Sequence, residues 1–120
     1  MKLYILGLLF CSVFFGYAQS KAKPITELTG NEISNGIFID VRTPEEFGTG
    51  HLDKATNVNW LGADFTERIA ALKIDKDETV YLYCKKGGRS TKAAQQLDSL
   101  GYKNVVNLLG GYDAYQENKD

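Results

Sequence analysis

Cys84 closes an apolar run, Thr79-Val80-Tyr81-Leu82-Tyr83, and opens a basic, glycine-containing stretch, Lys85-Lys86-Gly87-Gly88-Arg89-Ser90. Cysteine is a nucleophile only as its thiolate, and a free thiol titrates at about 8.5. Two adjacent glycines allow the backbone to curl with its N–H groups turned inward. A helix expected from about Ser90 adds the partial positive charge of its N-terminus. Lys85, Lys86 and Arg89 add full charges. The stretch is therefore a cradle for an anion, with a sulfur atom at its rim. The same field favours the thiolate, so a lowered pKa is expected for Cys84 without a histidine base beside it.

The elements around this stretch must place it. Thr29-Gly30-Asn31-Glu32 has the pattern of a capping box for a short helix that Gly36 ends. Residues 37–41 are apolar, β-branched and aromatic, as in a buried strand. In Thr43-Pro44-Glu45-Glu46, Thr43 caps a second helix, Pro44 takes its first position and Glu46 closes the box. Residues 55–59 give a short strand. Phe65, Ile69 and Leu72 share one face of a helix over residues 64–72. Thr79–Tyr83 is the strongest strand. Residues 90–100 form a helix with Ala93, Ala94, Leu97 and Leu100 inward and Gly101 as its stop. Residues 105–108 are a last strand, and Gly110-Gly111 turns the chain into a helix from Tyr112. This alternation predicts an α/β domain with a mainly parallel sheet, whose sites form beyond the carboxyl ends of its strands. Cys84 is at such an end. Asp40 and Arg42 fall at the same edge, where they are expected to brace the site.

The chain has 120 residues and a net charge of −1. That length suits one domain. A nucleic-acid partner would ask for a basic excess, so none is expected. The first 18 residues stand apart. Lys2 precedes an apolar run over residues 3–17, and Gly16-Tyr17-Ala18 has the small-x-small pattern of a cleavage site, as in a secretory signal peptide. The run is shorter than the roughly 20 residues of a spanning helix, so no stable membrane anchor is expected. Phe10 before Cys11 does not suit lipidation. Cleavage after Ala18 would leave Cys84 as the only cysteine and rule out an internal disulfide. One cysteine and one histidine, His51, do not make a zinc site, so neither metal nor cofactor is expected. The expected organisation is a signal peptide over residues 1–18, a flexible lead-in over 19–24 and one domain over 25–120, in a periplasmic or secreted protein.

Cys84-Lys85-Lys86-Gly87-Gly88-Arg89-Ser90 resembles the active-site loop of the rhodanese family, C-x-x-G-x-R followed by Ser or Thr. Ile39-Asp40-Val41-Arg42 with Pro44-Glu45-Glu46-Phe47 resembles the family's D-V-R element. Gly50-His51-Leu52 with Ala55-Thr56-Asn57-Val58 is similar to its G-H-I element. Asn107-Leu108-Leu109-Gly110-Gly111 with Ala114-Tyr115 is similar to its N-L-x-G-G ending, with Tyr115 where Trp is commoner. The four segments occur in the family's order. The resemblance implies a three-layer α/β/α domain and a sulfurtransferase that works through a persulfide on Cys84. It implies a small anionic donor, thiosulfate or a relative of it, and a thiol, cyanide or protein thiol as acceptor. It also implies that the amides of residues 85–90 hold the substrate or persulfide. Lys85 and Lys86 resemble basic loop residues of members that use thiosulfate.

Two other functions compete. A cysteine-dependent phosphatase needs C-x5-R to surround a tetrahedral phosphate. Here Arg89 comes one residue too early and Ser90 holds that place, so the smaller cradle suits a persulfide sulfur better. A non-catalytic rhodanese-like binding module often lacks the cysteine, which is present here. His51 is expected to be a structural hydrogen-bonding residue. Tyr81 and Tyr83 are expected to pack, Glu45 and Glu46 to start a helix, and Trp60 either to pack or to line a pocket mouth.

Overall fold

Strands that are apolar on both faces need cover on both, and helices on each side of a parallel sheet supply it. The computed structural model describes residues 20–119. The expected signal peptide and Cys11 lie outside the described residues. Five strands form the sheet: β1 (Lys21–Pro24), β2 (Ile37–Asp40), β3 (Thr56–Asn57), β4 (Thr79–Tyr83) and β5 (Asn104–Leu109). Their order is β1-β5-β4-β2-β3, and every neighbouring pair is parallel. The α/β architecture expected from the sequence is therefore the one observed, with β4 at the centre.

Five helices cover the sheet: α1 (Gly30–Asn35), α2 (Pro44–Thr49), α3 (Phe65–Ala71), α4 (Gly88–Ser99) and α5 (Gly111–Lys119). Side chains alternate along β4, and the two cores follow from that period. Val80, Leu82 and Cys84 join Ile69 of α3 and Ala93, Ala94 and Leu97 of α4 in one buried cluster. Tyr81 and Tyr83 join Ile25, Phe38, Leu52 and Leu108 in the other, which α5 closes with Tyr112 and Tyr115. Both capping boxes form as their sequences predict. Thr29 and Glu32 satisfy each other's backbone at α1, and Thr43 and Glu46 do so at α2.

The flexible lead-in expected over residues 19–24 is corrected. Lys21, Ala22, Lys23 and Pro24 pair in register with Val106, Asn107, Leu108 and Leu109 as an edge strand. Its polarity reflects an exposed edge, and Pro24, which cannot donate to a ladder, ends it. The Ser20 N–H ties the entry to Asp98 Oδ2 at 2.8 Å. β3 is shorter than expected, yet Val58 N–H to Asp40 carbonyl and Trp60 N–H to Val41 carbonyl continue its pairing beyond the strand. α4 starts at Gly88, two residues before the expected Ser90. Among the described residues no helix is long and apolar enough to cross a membrane.

Candidate active site

β4 ends at Tyr83, so Cys84 leaves the middle of the sheet at its carboxyl edge. Its side chain keeps the strand's alternation and points into the core under α4, leaving the residue only 1% exposed. The backbone must then reverse within a few residues to enter α4. Gly87 makes that turn at φ +131°, a region side chains disfavour, and is the N-cap of α4. Its N–H donates to Cys84 Sγ at 3.0 Å. The thiol donates to Ser90 Oγ at 3.4 Å, and that hydroxyl donates to the Gly87 carbonyl at 3.2 Å. When the thiol ionises, the same hydroxyl can rotate its proton toward sulfur.

Burial is the largest single influence on Cys84 and pushes its pKa up. It is outweighed by hydrogen bonds from the Ser90 hydroxyl and from the Ser90, Gly87 and Lys86 backbone amides, so the net direction is down. The direction expected from the sequence, a lowered Cys84 pKa, is the one found, but its causes are loop amides and the Ser90 hydroxyl, where the sequence also pointed to the loop cations. Ser90→Ala removes the largest of these stabilising contacts. It should raise the pH midpoint of Cys84 alkylation, because the thiolate loses a donor while its burial is unchanged. An unchanged midpoint would show that Ser90 does not support the anion.

The loop is held from outside by α5. The Tyr112 N–H donates to the Cys84 carbonyl at 2.8 Å, and the Asp113 N–H to the Lys85 carbonyl at 3.1 Å. With both carbonyls drawn outward, the next amides face the sulfur. Gly111, at φ +62°, lies so close that a β-carbon would collide with those two carbonyl oxygens. A second tie runs from β5. Asn107 Nδ2 donates to Thr91 Oγ1 at 2.9 Å, and Thr91 Oγ1 donates to the Gly87 carbonyl at 2.8 Å. Gly111 was visible in the sequence as a turn residue and, like Asn107, as part of the N-L-x-G-G motif, but neither showed its tie to the loop.

The three loop cations are not all free, which corrects the expected charge of the cradle. Lys85 Nζ turns away to Asp113, 2.8 Å from Oδ2. Arg89 donates from Nη1 and Nη2 to the two carboxylate oxygens of Glu46, at 2.7 and 3.0 Å. Among the described residues only Lys86, which is exposed, has no ion-pair partner within the loop's basic set. Gly88 is exposed at the start of α4.

The family description "Rhodanese-like domain" matches residues 25–118. The chain belongs to the rhodanese-like domain family. It is 37% identical over 90 residues to "Thiosulfate sulfurtransferase 16, chloroplastic" of Arabidopsis thaliana, covering 68% of this chain and 74% of that protein. It is 38% identical over 73 residues to "Thiosulfate sulfurtransferase PspE" of Escherichia coli, covering 61% and 68%. Other relatives are longer, and the chain spans only 20% of one of them. The crystal structure of a rhodanese-like domain protein from Staphylococcus aureus aligns at a TM-score of 0.68 and 28% identity, over 79% of this chain and 90% of that one. These relatives support sulfurtransferase chemistry in general terms.

Within this rhodanese-like domain, Asp40 and Arg42, the residues expected to support the site, lie at one remove from it. They pair with each other, Arg42 Nη2 to Asp40 Oδ2 at 2.7 Å, and both are buried. Arg42 Nη2 also donates to the Gly50 carbonyl at 2.7 Å, and its guanidinium lies 4.4 Å from the centre of the Tyr112 ring. Arg42 thus touches the ring of the residue whose N–H bonds the Cys84 carbonyl. His51 stacks on Phe47 with ring centres 3.6 Å apart and bonds the Phe47 carbonyl through Nδ1, the expected structural role. Trp60 packs edge-on against Phe65 at 4.9 Å. A cleft of about 370 Å³ opens between α1 and the start of β4, beside Glu32, Glu78 and Tyr81. It lies at the amino end of the strands, away from Cys84, and Glu32 is already engaged by Lys23 and Tyr81.

Proposed function

We propose that this domain is a sulfurtransferase in which Cys84 carries sulfane sulfur as a persulfide, with thiosulfate or a related compound as donor. The observation that carries the proposal is the sulfur of Cys84 held 3.0 Å from the Gly87 nitrogen, with the Lys86 and Ser90 amides and the Ser90 hydroxyl also turned to it. The names of the curated sulfurtransferase relatives agree with it. The Cys84 thiolate attacks the outer sulfur of thiosulfate. The S–S bond of thiosulfate breaks, sulfite leaves with the electron pair, and a new S–S bond forms on Cys84. The terminal sulfur then bears the negative charge, which the inward amides stabilise without rearrangement. A thiolate or cyanide attacks that sulfur, takes it, and releases the Cys84 thiolate.

Incubation with thiosulfate should add one sulfur atom to the intact protein, mapping to Cys84 and lost again on adding cyanide. No added mass, or sulfur on another residue, would sink the proposal. We also propose export, supported by the signal-like pattern of residues 1–18. N-terminal sequencing of protein recovered outside the cytoplasm should begin at about residue 19, and a chain retained inside with Met1 intact would refute export.

A further inference from the structure

Gly87 donates its N–H to Cys84 Sγ, and its own carbonyl is reached by three donors: the Thr91 N–H at 3.1 Å, Thr91 Oγ1 at 2.8 Å and Ser90 Oγ at 3.2 Å. A carbonyl oxygen has two lone pairs. The two Thr91 donors fill them, so the Ser90 proton is dispensable there for as long as the Thr91 hydroxyl keeps its own proton on that oxygen. Asn107 decides where that proton points. Its Nδ2 stands 2.9 Å from Thr91 Oγ1. A hydroxyl has one proton, and a carbonyl can only accept. Both contacts of Thr91 Oγ1 are hydrogen bonds only when the Asn107 amide donates to Thr91 and Thr91 donates to Gly87. In this arrangement Asn107 Oδ1 is buried without a hydrogen-bond partner among the described residues. A buried acceptor left unpaired destabilises a fold, and β5 carries this one between Val106 and Leu108.

We propose that Asn107 is a positioning residue for Cys84: by donating to Thr91 it fixes the Thr91 hydroxyl proton on the Gly87 carbonyl, which frees the Ser90 hydroxyl to turn to the sulfur when Cys84 ionises. This deepens the sulfurtransferase reading and rests on Cys84 as its nucleophile. In the neutral site the thiol donates to Ser90 Oγ at 3.4 Å, and Ser90 donates to the Gly87 carbonyl. When the thiol proton passes to solvent, the Ser90 proton swings from the carbonyl to Sγ. The carbonyl keeps both Thr91 donors, so no acceptor is stranded, and the thiolate gains a donor. Without Asn107 the Thr91 hydroxyl, on an exposed residue, is free to turn its proton to water. The Gly87 carbonyl then holds the Ser90 proton back from the sulfur. The same swing serves each return of Cys84 to the thiolate, after an acceptor has taken the sulfur.

The test is the pH profile of Cys84 alkylation by neutral iodoacetamide, in the full chain, with thermal unfolding as control. Thr91→Val removes the proton from an exposed position and should raise the midpoint by about half a unit, a fall of about threefold in rate at pH values below it. Thr91→Ser keeps the hydroxyl and should restore the wild-type midpoint. Asn107→Leu has nearly the shape of asparagine and removes the unpaired oxygen. It should raise the midpoint too, by less than Thr91→Val, while its unfolding temperature does not fall. The decisive arm is the Ser90→Ala background. There Thr91→Val and Asn107→Leu should add no shift, because the proton they hold back is already gone. A wild-type midpoint in Thr91→Val or in Asn107→Leu would overturn the proposal, as would shifts of full size that persist without the Ser90 hydroxyl. Sulfur loading from thiosulfate is a separate reading. If Cys84 takes up no sulfur, the sulfurtransferase assignment fails, while the alkylation midpoints still decide whether Asn107 positions the Ser90 proton.

Discussion

Cys84→Ser is expected to reduce thiosulfate:cyanide sulfur transfer to the uncatalysed rate while leaving the fold in place. The two effects separate for a physical reason. Serine is nearly the shape of cysteine, and its oxygen can accept from the Gly87 N–H as Sγ does at 3.0 Å. The stability change should stay within about 1–2 kcal/mol, the scale of one altered buried hydrogen bond. Chemistry has no such substitute. An alkoxide is inaccessible near neutral pH, and the loop amides that lower a thiolate pKa cannot bring a hydroxyl into range. Cys84 is also the only cysteine among the described residues, so no neighbour there can take over as sulfur carrier. Turnover assays and intact mass after thiosulfate, with thermal unfolding as control, check this. Retained turnover in a folded variant would remove Cys84 from the mechanism.

The parts that were legible in the sequence are those written locally. Thr29 with Glu32 and Thr43 with Glu46 are three residues apart, and each pair announces a helix start that the structure contains. The five residues Thr79–Tyr83 are apolar enough on both faces to be placed as a buried strand, and β4 is central. Cys84 and Gly87 could be assigned to a turn between strand and helix for the same reason. What escaped was written at long range. β1 has a polar sequence because it lies at an edge, and its backbone partners in β5 are more than eighty residues away. Glu46 showed its capping task and hid its grip on Arg89, 43 residues on. Asp113 lies 28 residues from Lys85. A cluster of cations can be counted in a sequence, but its net field depends on which carboxylates fold back onto it.

The second large effect is expected from Arg42→Met, and it falls on stability first. Asp40 is fully buried, and its two carboxylate oxygens are met by Arg42 through the backbone N–H, Nε and Nη2 at 2.7 to 3.1 Å. Removing the guanidinium leaves a buried carboxylate with one backbone donor. Breaking such a pair from one side costs about 3–5 kcal/mol, because the remaining charge has lost its partner but not its burial. For a domain of this size that lowers Tm by more than about 10 °C, a large share of the total stability of a small domain. Replacing both partners, Asp40→Leu with Arg42→Met, should cost less than the single change, since no charge is then stranded. Denaturant titration of the two variants checks the order. A single variant as stable as the double would mean that the pair carries little of the fold. Arg42 also binds the Gly50 carbonyl and packs on Tyr112, whose N–H holds the Cys84 carbonyl. The folded fraction of Arg42→Met should therefore show a slower Cys84 alkylation at fixed pH. The loop amides lose their orientation when α5 shifts, and with it their hold on the thiolate.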